Sequence, residues 1–263
     1  MKNQLTNQSF VTFIVTIMRL ASYLFCSFLR GKRYSCILNT GEMPFMNGGM
    51  KMDKEFRSII VQACRKMLNE DLVKGTWGNV SFTDGERIYI TPSGYPYDKM
   101  KEEDVIVIDY EGNVIEGSRV PSSEWKMHVA IYKARKDVKF ILHTHPIYAS
   151  IASVTMEEVP SLIEDSAMIC GPEIRVAKYA DPGSWELAEN AAEALGNNSA
   201  VILRNHGLVN VGESFNEAFV SAKVTEKNIQ VYIEALKLNR EIFHIPESNM
   251  KKLREKYLKF YRQ

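Results

Sequence analysis

Histidine is the residue type whose spacing in this sequence points most directly to chemistry. His143 and His145 are separated by one residue at the end of an apolar segment, and His206 follows a second apolar segment, in the sequence RNHG. Side chains two residues apart on a strand point to the same face, so two imidazoles can converge on one ion. Three neutral imidazoles suit zinc and leave a coordination position for a substrate. The spacing alone is a weak signal, because histidines at strand ends are more often structural. His128 is predicted to be structural and His244 to be exposed.

A carboxylate and several small polar residues accompany the histidines. Ser122, Ser123 and Glu124 precede a helical segment, where backbone N–H groups and two hydroxyls can bind an anion. Residues 75–79 and 91–94 also offer small residues, hydroxyls and exposed amides. Together these segments could hold a phosphate without many basic residues. In the structural alternative, a serine only caps the helix and the carboxylate only complements the helix dipole.

The elements that must position these residues are predicted from apolar periodicity and turn residues. Asp53 is predicted to be an N-cap, and Asp84-Gly85 to form a hairpin turn. Strands and helices alternate without repeats or a linker, which favours one α/β domain with a mixed sheet covered by helices. Helices are predicted at 53–69, from Ser122 or Ser123 to 135, briefly after Pro146, and at 185–195, 215–238 and 248–261; strands are predicted at 79–82, 88–91, 105–109, 138–145, 200–203 and 207–211.

Composition sets the broad class of the protein. The 263 residues carry a formal net charge of +1 and are 45% hydrophobic, as in an ordinary globular protein that can bury a substantial core. No run of Lys and Arg forms a basic stripe, so nucleic acid is not an expected partner. The four cysteines, Cys26, Cys36, Cys64 and Cys170, form no CxxC pair. Their irregular spacing argues against a disulfide framework and favours a reducing compartment.

The first fifty residues do not match the rest of the chain. Residues 10–29 are mostly apolar and could be a signal anchor or a membrane helix, although no clean cleavage site follows them. Residues 47–52 can be back-translated to contain a bacterial ribosome-binding sequence shortly before the Met52 codon. The hypothesis is that translation starts at Met52 and that residues 1–51 are a non-native or disordered extension. The intact mass of the native protein tests this division, and no membrane is expected for residues 52–263.

Five ordered segments carry a resemblance to a known family. The sequence contains, in this order, GTWGNVS, ITPSGYPYDKM, VPSSEWKMH, HTHP and LRNHG. This order and spacing resembles the class II aldolase/adducin family, and most of all its bacterial branch that cleaves L-fuculose 1-phosphate. The resemblance covers roughly Phe56 to the C-terminus. It implies a three-layer αβα fold with a central mixed, mainly antiparallel sheet, a cytoplasmic homotetramer and a zinc site at the subunit interface.

The resemblance also assigns roles to particular residues. It makes His143, His145 and His206 zinc ligands, and Glu124 the acid/base that also ligates the metal when substrate is absent. The implied activity is zinc-dependent cleavage of a ketose 1-phosphate, either L-fuculose 1-phosphate or a 5-deoxypentulose 1-phosphate, to dihydroxyacetone phosphate and an aldehyde. The positions that match the family's phosphate-binding residues are Thr76, Asn79, Ser93, Gly94, Ser122 and Ser123.

One position departs from the pattern. Where the fuculose-phosphate branch has a tyrosine that serves the aldehyde end, this chain has Glu164 and Asp165. Glu164 is predicted to be the second base, or else only to form a hydrogen bond at a subunit contact. A carboxylate there also resembles methylthioribulose-1-phosphate dehydratases, which are the alternative function. Pentulose-phosphate 4-epimerases, which have aspartate in place of Glu124, and the metal-free adducin scaffold fit less well. Tyr257 or Tyr261 is expected to cover a neighbouring subunit's site.

Overall fold

The architecture follows from short strands that are buried on both faces. The computed structural model describes residues 47–261, and the side chains of residues 53–260. In the strand Ile88–Ile90, both isoleucines belong to one hydrophobic core, whereas Tyr89 between them belongs to another. Successive side chains of a strand point to opposite faces, so each face of the sheet needs its own cover of helices.

Nine strands form one sheet in the order β4-β3-β2-β1-β5-β9-β8-β7-β6. Every neighbouring pair is antiparallel except β7 and β8, which are parallel. The mixed, mainly antiparallel sheet predicted from the family resemblance is therefore confirmed. The strands are β1 (Asn79–Thr83), β2 (Ile88–Ile90), β3 (Ile106–Ile108), β4 (Val114–Glu116), β5 (Phe140–Thr144), β6 (Glu158–Pro160), β7 (Glu173–Ala177), β8 (Ala200–Leu203) and β9 (Leu208–Gly212).

Helices cover both faces of this sheet. They are α1 (Asn47–Asn69), α2 (Trp125–Ala134), α3 (Ile147–Thr155), α4 (Glu164–Ile169), α5 (Trp185–Leu195), α6 (Phe215–Lys237) and α7 (Glu247–Lys256), the last continued by one π-helical turn, Tyr257–Tyr261. Buried residues of α2 and α5 share a core with Ile88, Ile141 and Val201. Buried residues of α1, α3 and α6 lie in two further cores on alternating positions of the same strands. The result is the three-layer arrangement that the resemblance predicts.

Two predicted helix starts are wrong. Helix α1 begins at Asn47, so Asp53 lies within the helix and is not its N-cap. The Asp53 carboxylate instead accepts hydrogen bonds from Arg87 (2.8 Å) and Tyr89 (2.5 Å), which ties α1 to β2. Helix α2 begins at Trp125, its N-cap is Glu124, and no side chain caps it. The Ser122 hydroxyl accepts a hydrogen bond from the Glu124 amide (3.3 Å) in the turn before the helix.

Several short elements were not predicted from the sequence. Strand β4 is exposed along its whole length and so lacks an alternating apolar pattern. Strands β6 and β7 and helix α4 lie in a region that was predicted only as a loop. Helix α4 has six residues and β6 has three, which is too few for a periodic signal. By contrast, α5, β8 and the β1–β2 hairpin were predicted correctly.

The N-terminal predictions fall largely outside the described residues. The apolar segment 10–29 lies in the part that the structure does not describe, as does most of the predicted extension. Residues 47–51 belong to α1, and the division at Met52 stays a prediction. Among residues 47–261, no helix is both long and apolar enough to cross a bilayer.

Candidate active site

Three histidines meet at one edge of the sheet. His143 is on β5, His145 follows the end of that strand, and His206 is in the turn between β8 and β9. The Nε2 atom of His143 lies 2.8 Å from that of His145 and 3.3 Å from that of His206. All three nitrogens lie within 4.8 Å of one another. The prediction that these side chains converge is confirmed.

The hairpin between β8 and β9 brings His206 close to the other two histidines. Asn205 adopts a left-handed conformation (φ 54°), which turns the chain sharply before His206. Gly207 then passes directly against His145: a Cβ atom there would lie 2.5 Å from the His145 ring and 2.6 Å from the Thr144 carbonyl oxygen. Only glycine leaves room for this approach, so the RNHG segment has a steric reason for its last residue.

Hydrogen bonding and burial define the state of the imidazoles. The Nδ1–H group of His143 donates to the Leu208 carbonyl oxygen (3.0 Å), and this leaves the Nε2 lone pair directed at the cluster. Burial, together with the neighbouring histidines, lowers the pKa of both His143 and His145 to about 3. These two side chains are therefore neutral near pH 7 and available as ligands.

The donor set fits a divalent metal ion. Two nitrogens that bind one zinc ion tetrahedrally at about 2.05 Å are roughly 3.3 Å apart, close to the spacings of His143 with its two neighbours. One buried atom at the cluster, Glu124 Oε1, has no hydrogen-bond partner within the described part of the chain. Imidazole lone pairs and a carboxylate oxygen that face one another without intervening protons are stabilised by a cation. The histidine triad can therefore bind a metal.

The Glu124 carboxylate lies close to two histidines of the triad. Its Oε2 atom is 3.2 Å from His143 Nε2, and its Oε1 atom is 3.4 Å from His206 Nε2. The side chain is almost completely buried, with 8% of the residue exposed. The Asn79 side-chain amide donates a hydrogen bond to Oε2 (2.8 Å). Because Asn79 and His143 are register partners on β1 and β5, the sheet itself places the amide beside the cluster.

A buried chain of polar side chains extends from Asn79 away from the cluster. The Asn79 Oδ1 atom is 2.5 Å from His128 Nε2, and His128 Nδ1 is 2.6 Å from the Ser81 hydroxyl. The Ser81 hydroxyl also lies 2.7 Å from the Tyr132 hydroxyl. Burial lowers the pKa of His128 to about 3, so this ring is neutral as well. The prediction that His128 is structural did not foresee its indirect link to Glu124.

A cavity of about 500 Å³ opens above the triad and Glu124. Its walls come from loops that the structure ties together: the Ser93 amide donates to the Val120 carbonyl (2.9 Å) and the Ser122 amide to the Thr91 carbonyl (3.0 Å). Among the residues that the structure describes, the cavity lining includes hydroxyls, amides and glycines but no Lys or Arg. The lining residues are Thr76, Trp77, Gly78, Asn79, Pro92, Ser93, Gly94, Ser122, Ser123, Glu124, His145, Tyr179, Ala180, Pro182, Asn205 and His206.

Most of the predicted site residues meet at this cavity. All six predicted phosphate-binding residues line it, together with Glu124, His145 and His206, while His143 is buried beside them. Glu164 does not: it is the first residue of α4, is exposed, and is not part of the lining. Tyr257 lines a different cavity, and the Tyr261 side chain lies outside the described residues.

Sequence reasoning assigned no role to the aromatic walls of the cavity. Trp77 is 70% exposed and its ring centroid lies 6.4 Å from that of His145. Tyr179, 58% exposed, comes from the loop after β7. Trp77 lies inside the segment GTWGNVS, so its place near the site could have been predicted from the sequence. No motif marks the loop of Tyr179, and only the fold brings it to the cavity.

Comparison with known proteins gives consistent matches. Residues 58–233 match the family model described as Class II Aldolase and Adducin N-terminal domain. The chain is 36% identical over 210 residues to the 5-deoxy-D-ribulose 1-phosphate aldolase of Bacillus thuringiensis serovar kurstaki, covering 79% of this chain and 97% of that protein. It is 33% identical over 208 residues to the L-fuculose phosphate aldolase of Escherichia coli strain K12, covering 79% and 96%.

A solved structure agrees with the sequence matches. An L-fuculose 1-phosphate aldolase superimposes with a TM-score of 0.75 at 36% identity, covering 78% of this chain and 96% of that one. The family model, the relatives and the solved structure all span the elements that build the cavity and the histidine cluster. The chain belongs to the class II aldolase and adducin family.

Proposed function

We propose that this chain, a class II aldolase that cleaves a ketose 1-phosphate, works with zinc held by His143, His145 and His206. The proposal gives Glu124 the role of acid/base and of a metal ligand when substrate is absent. The observation that carries it is the convergence of three imidazole nitrogens and one carboxylate beneath a polar cavity. Relatives named for aldolase activity toward 5-deoxy-D-ribulose 1-phosphate and L-fuculose phosphate support the substrate class.

The chemistry divides between the metal and the protein side chains. A bound zinc ion supplies Lewis-acid polarisation of the substrate's oxygens. In cleavage the bond between C3 and C4 breaks and its electron pair stays on C3. Glu124 then delivers the proton that C3 takes up, giving dihydroxyacetone phosphate, and in the reverse direction it removes that proton. Its Oε1 atom, which has no protein hydrogen-bond partner among the described residues, is the oxygen available for this transfer.

The aldehyde end needs a second base, because the C4 hydroxyl loses its proton as the aldehyde forms. We assign this role to Glu164, acting in the site of a neighbouring copy of the chain. Its exposure and its place outside its own chain's cavity are compatible with such a role. The assignment depends on the proposed homotetramer, in which the site lies at a subunit interface.

The substrate phosphate is assigned to the hydroxyl and amide wall of the cavity. Thr76, Ser93, Gly94, Ser122 and Ser123 lie there without a basic residue among the described lining. Hydroxyls and backbone amides bind phosphate by hydrogen bonds alone. Asn79 is also assigned to this group, although its amide already bonds Glu124 and His128, which leaves one N–H free for a ligand.

The cellular compartment is proposed from the cysteines. Cys64 and Cys170 are both buried and free. Unpaired cysteines are common in proteins of reducing compartments, and this supports the cytoplasm.

Metal analysis of the purified protein tests the zinc assignment. We expect about one zinc ion per chain, loss of ketose 1-phosphate cleavage after chelation, and recovery when zinc is added. A protein that contains no zinc and is not activated by it would contradict the assignment and favour a scaffold role. Activation by another divalent ion alone would retain the metal site and replace zinc.

A further inference from the structure

The buried chain of polar side chains behind Glu124 has a role that packing alone does not explain. His128 follows Glu124, the N-cap of α2, by one turn and Tyr132 follows His128 by another, so the three lie along one side of the helix. On β1, Asn79 and Ser81 are two residues apart and share one strand face. The helix and strand thus place an alternating series of side chains in contact.

The hydrogen-bond directions in this series are determined from the Glu124 end. A carboxylate only accepts, so the Asn79 NH₂ group must face Glu124 Oε2. The Asn79 carbonyl oxygen then faces His128, and because it also only accepts, His128 must carry its proton on Nε2. Nδ1 of the neutral ring is left as an acceptor for the Ser81 hydroxyl, which in turn accepts from Tyr132 (2.7 Å). The Tyr132 hydroxyl also lies 3.2 Å from the Lys139 carbonyl oxygen, so it shares its proton between a nearer and a more distant acceptor.

We infer that His128, in its Nε2–H tautomer, is a positioning residue that holds the Asn79 amide so that Glu124 keeps its orientation toward the histidine triad. His128, Ser81 and Tyr132 are nearly or fully inaccessible to solvent, so no water replaces a lost partner. If the His128 donor is removed, the Asn79 amide is free to rotate and present its oxygen to the carboxylate. Glu124 then loses its fixed donor and the geometry for proton transfer.

Two amide substitutions separate positioning from packing. In His128→Gln the side-chain amide reaches the position of Nε2 and still donates to Asn79. In His128→Asn it reaches only the position of Nδ1, near Ser81, and no longer reaches Asn79. The matched control is Thr225→Val, which removes the hydroxyl that hydrogen-bonds both Cys170 and Asn210 in a fully buried cluster. All three variants lose buried polar contacts, but only His128→Asn loses the hydrogen bond to the Asn79 carbonyl oxygen.

The experiment uses the zinc-loaded protein and a ketose 1-phosphate that the wild type cleaves, so this readout depends on the proposed function. We expect His128→Asn to lower kcat by about 10²-fold with KM changed less than threefold, as for a small misplacement of a catalytic group. His128→Gln should recover most of kcat, Thr225→Val should stay near wild type, and zinc content should not change. Solvent-deuterium exchange into dihydroxyacetone phosphate should fall in parallel with kcat.

Other results would overturn the inference. Equal losses in His128→Gln and His128→Asn would indicate packing alone. A higher KM with unchanged kcat would place Asn79 in substrate binding only, and loss of zinc would make His128 a support of the metal ligands. If His128→Asn does not fold, Ser81→Ala replaces it, because losing the hydroxyl frees the His128 tautomer. We then expect a smaller fall in kcat, and no fall would contradict the inference.

A measurement without substrate keeps this test separate from the proposed function. Nitrogen NMR of histidine-labelled protein, with His128 assigned by substitution, reports which ring nitrogen carries the proton. The inference requires the Nε2–H form, and an Nδ1–H form would overturn it whatever the activity. A wild-type protein that cleaves no ketose 1-phosphate but shows Nε2–H would refute the proposed function and leave the buried chain as described.

Discussion

Individual residues of the site differ in how far the sequence could reveal them. The HxH spacing predicted that His143 and His145 share a strand face, and the structure confirms that they meet. His206 joins them because the chain turns sharply before it and because Gly207 leaves room for the close approach. Sequence spacing does not predict either feature. The link from Glu124 to His128 passes through Asn79, which is 45 residues from the first and 49 from the second. Only the register of β1 and β5 and the packing of α2 show this link.

The first residue-scale prediction concerns Glu124→Gln. The substitution keeps the side-chain shape and the three histidines but removes the group that transfers the proton. We expect bound metal to remain and turnover to fall by about 10²–10⁴-fold. Metal content and triose phosphate release are measured on the same preparation, with the exposed Glu189→Gln as the control. Loss of metal with turnover per bound metal preserved would make Glu124 a structural ligand.

The second residue-scale prediction concerns Gly207→Ala. The added methyl group would lie 2.5 Å from the His145 ring, so the ring or the hairpin must move. We expect metal affinity to fall by about 10–100-fold, as for other disturbances of ligand orientation. Metal titration measures this. Gly196→Ala, at the C-terminal end of α5, is the control for a strained backbone without a clash, because its φ is 49° but its added Cβ would have no atom closer than 3.7 Å. Unchanged affinity in Gly207→Ala would show that the close approach is not needed.

At the scale of elements, long periodic segments were predictable and short ones were not. Helix α5 and strand β8 have clear apolar patterns and were predicted with their correct bounds. Strand β4 has no buried residue, and helix α4 buries only Ser166 and Ala167. Neither segment therefore shows a periodic pattern of apolar residues. Asp53 has the residue type of an N-cap, but its tertiary partners in β2 override that local preference.

The element-scale prediction concerns the hydrogen bonds of Asp53, which link α1 to β2. Burial raises the pKa of Asp53, but hydrogen bonds from Tyr89 and Arg87 outweigh it and hold the pKa below its ordinary value of 3.8. The stabilisation is therefore complete above pH 3.8 and is lost as the pH falls through the lower, folded-state pKa. We expect Asp53→Asn to lower the free energy of unfolding by about 1 kcal/mol at pH 7.

Urea denaturation at several pH values measures this effect. The difference between wild type and Asp53→Asn should be constant from pH 7 to about pH 5 and should shrink toward zero below pH 3.8. Glu189→Gln, an exposed position on α5 in the opposite helical layer, is the control for general charge effects. A difference that grows on acidification would contradict the assignment of the Asp53 contacts.

At the scale of the whole molecule, the fold was predictable, and the proposed function adds that a second chain completes the site. Ordered motifs predicted the three-layer architecture and the cavity that gathers nearly all the expected site residues. Glu164 is the exception, since it lies on the surface of its own chain. The proposal that Glu164 acts in a neighbouring copy concerns a contact between chains, and a single sequence contains little information about such contacts.

The whole-molecule prediction is that two defective variants restore activity when mixed. Glu124→Gln and Glu164→Gln are each expected to be impaired. If each site takes Glu124 from one chain and Glu164 from a neighbour, subunit exchange between them should form intact sites in about one quarter of cases. Native mass spectrometry should show tetramers, and activity should rise after mixing. A monomer, or a mixture no more active than its components, would contradict a shared site.

The most direct test of the central claim is a product assay on the zinc-loaded protein. Candidate ketose 1-phosphates are L-fuculose 1-phosphate, 5-deoxyribulose 1-phosphate and methylthioribulose 1-phosphate, each assayed for dihydroxyacetone phosphate with a coupled enzyme. The account predicts that at least one of them yields dihydroxyacetone phosphate and an aldehyde in equal amounts, in a reaction that Glu124→Gln abolishes. Loss of water from methylthioribulose 1-phosphate with no triose phosphate from any of the three would contradict it and identify a dehydratase.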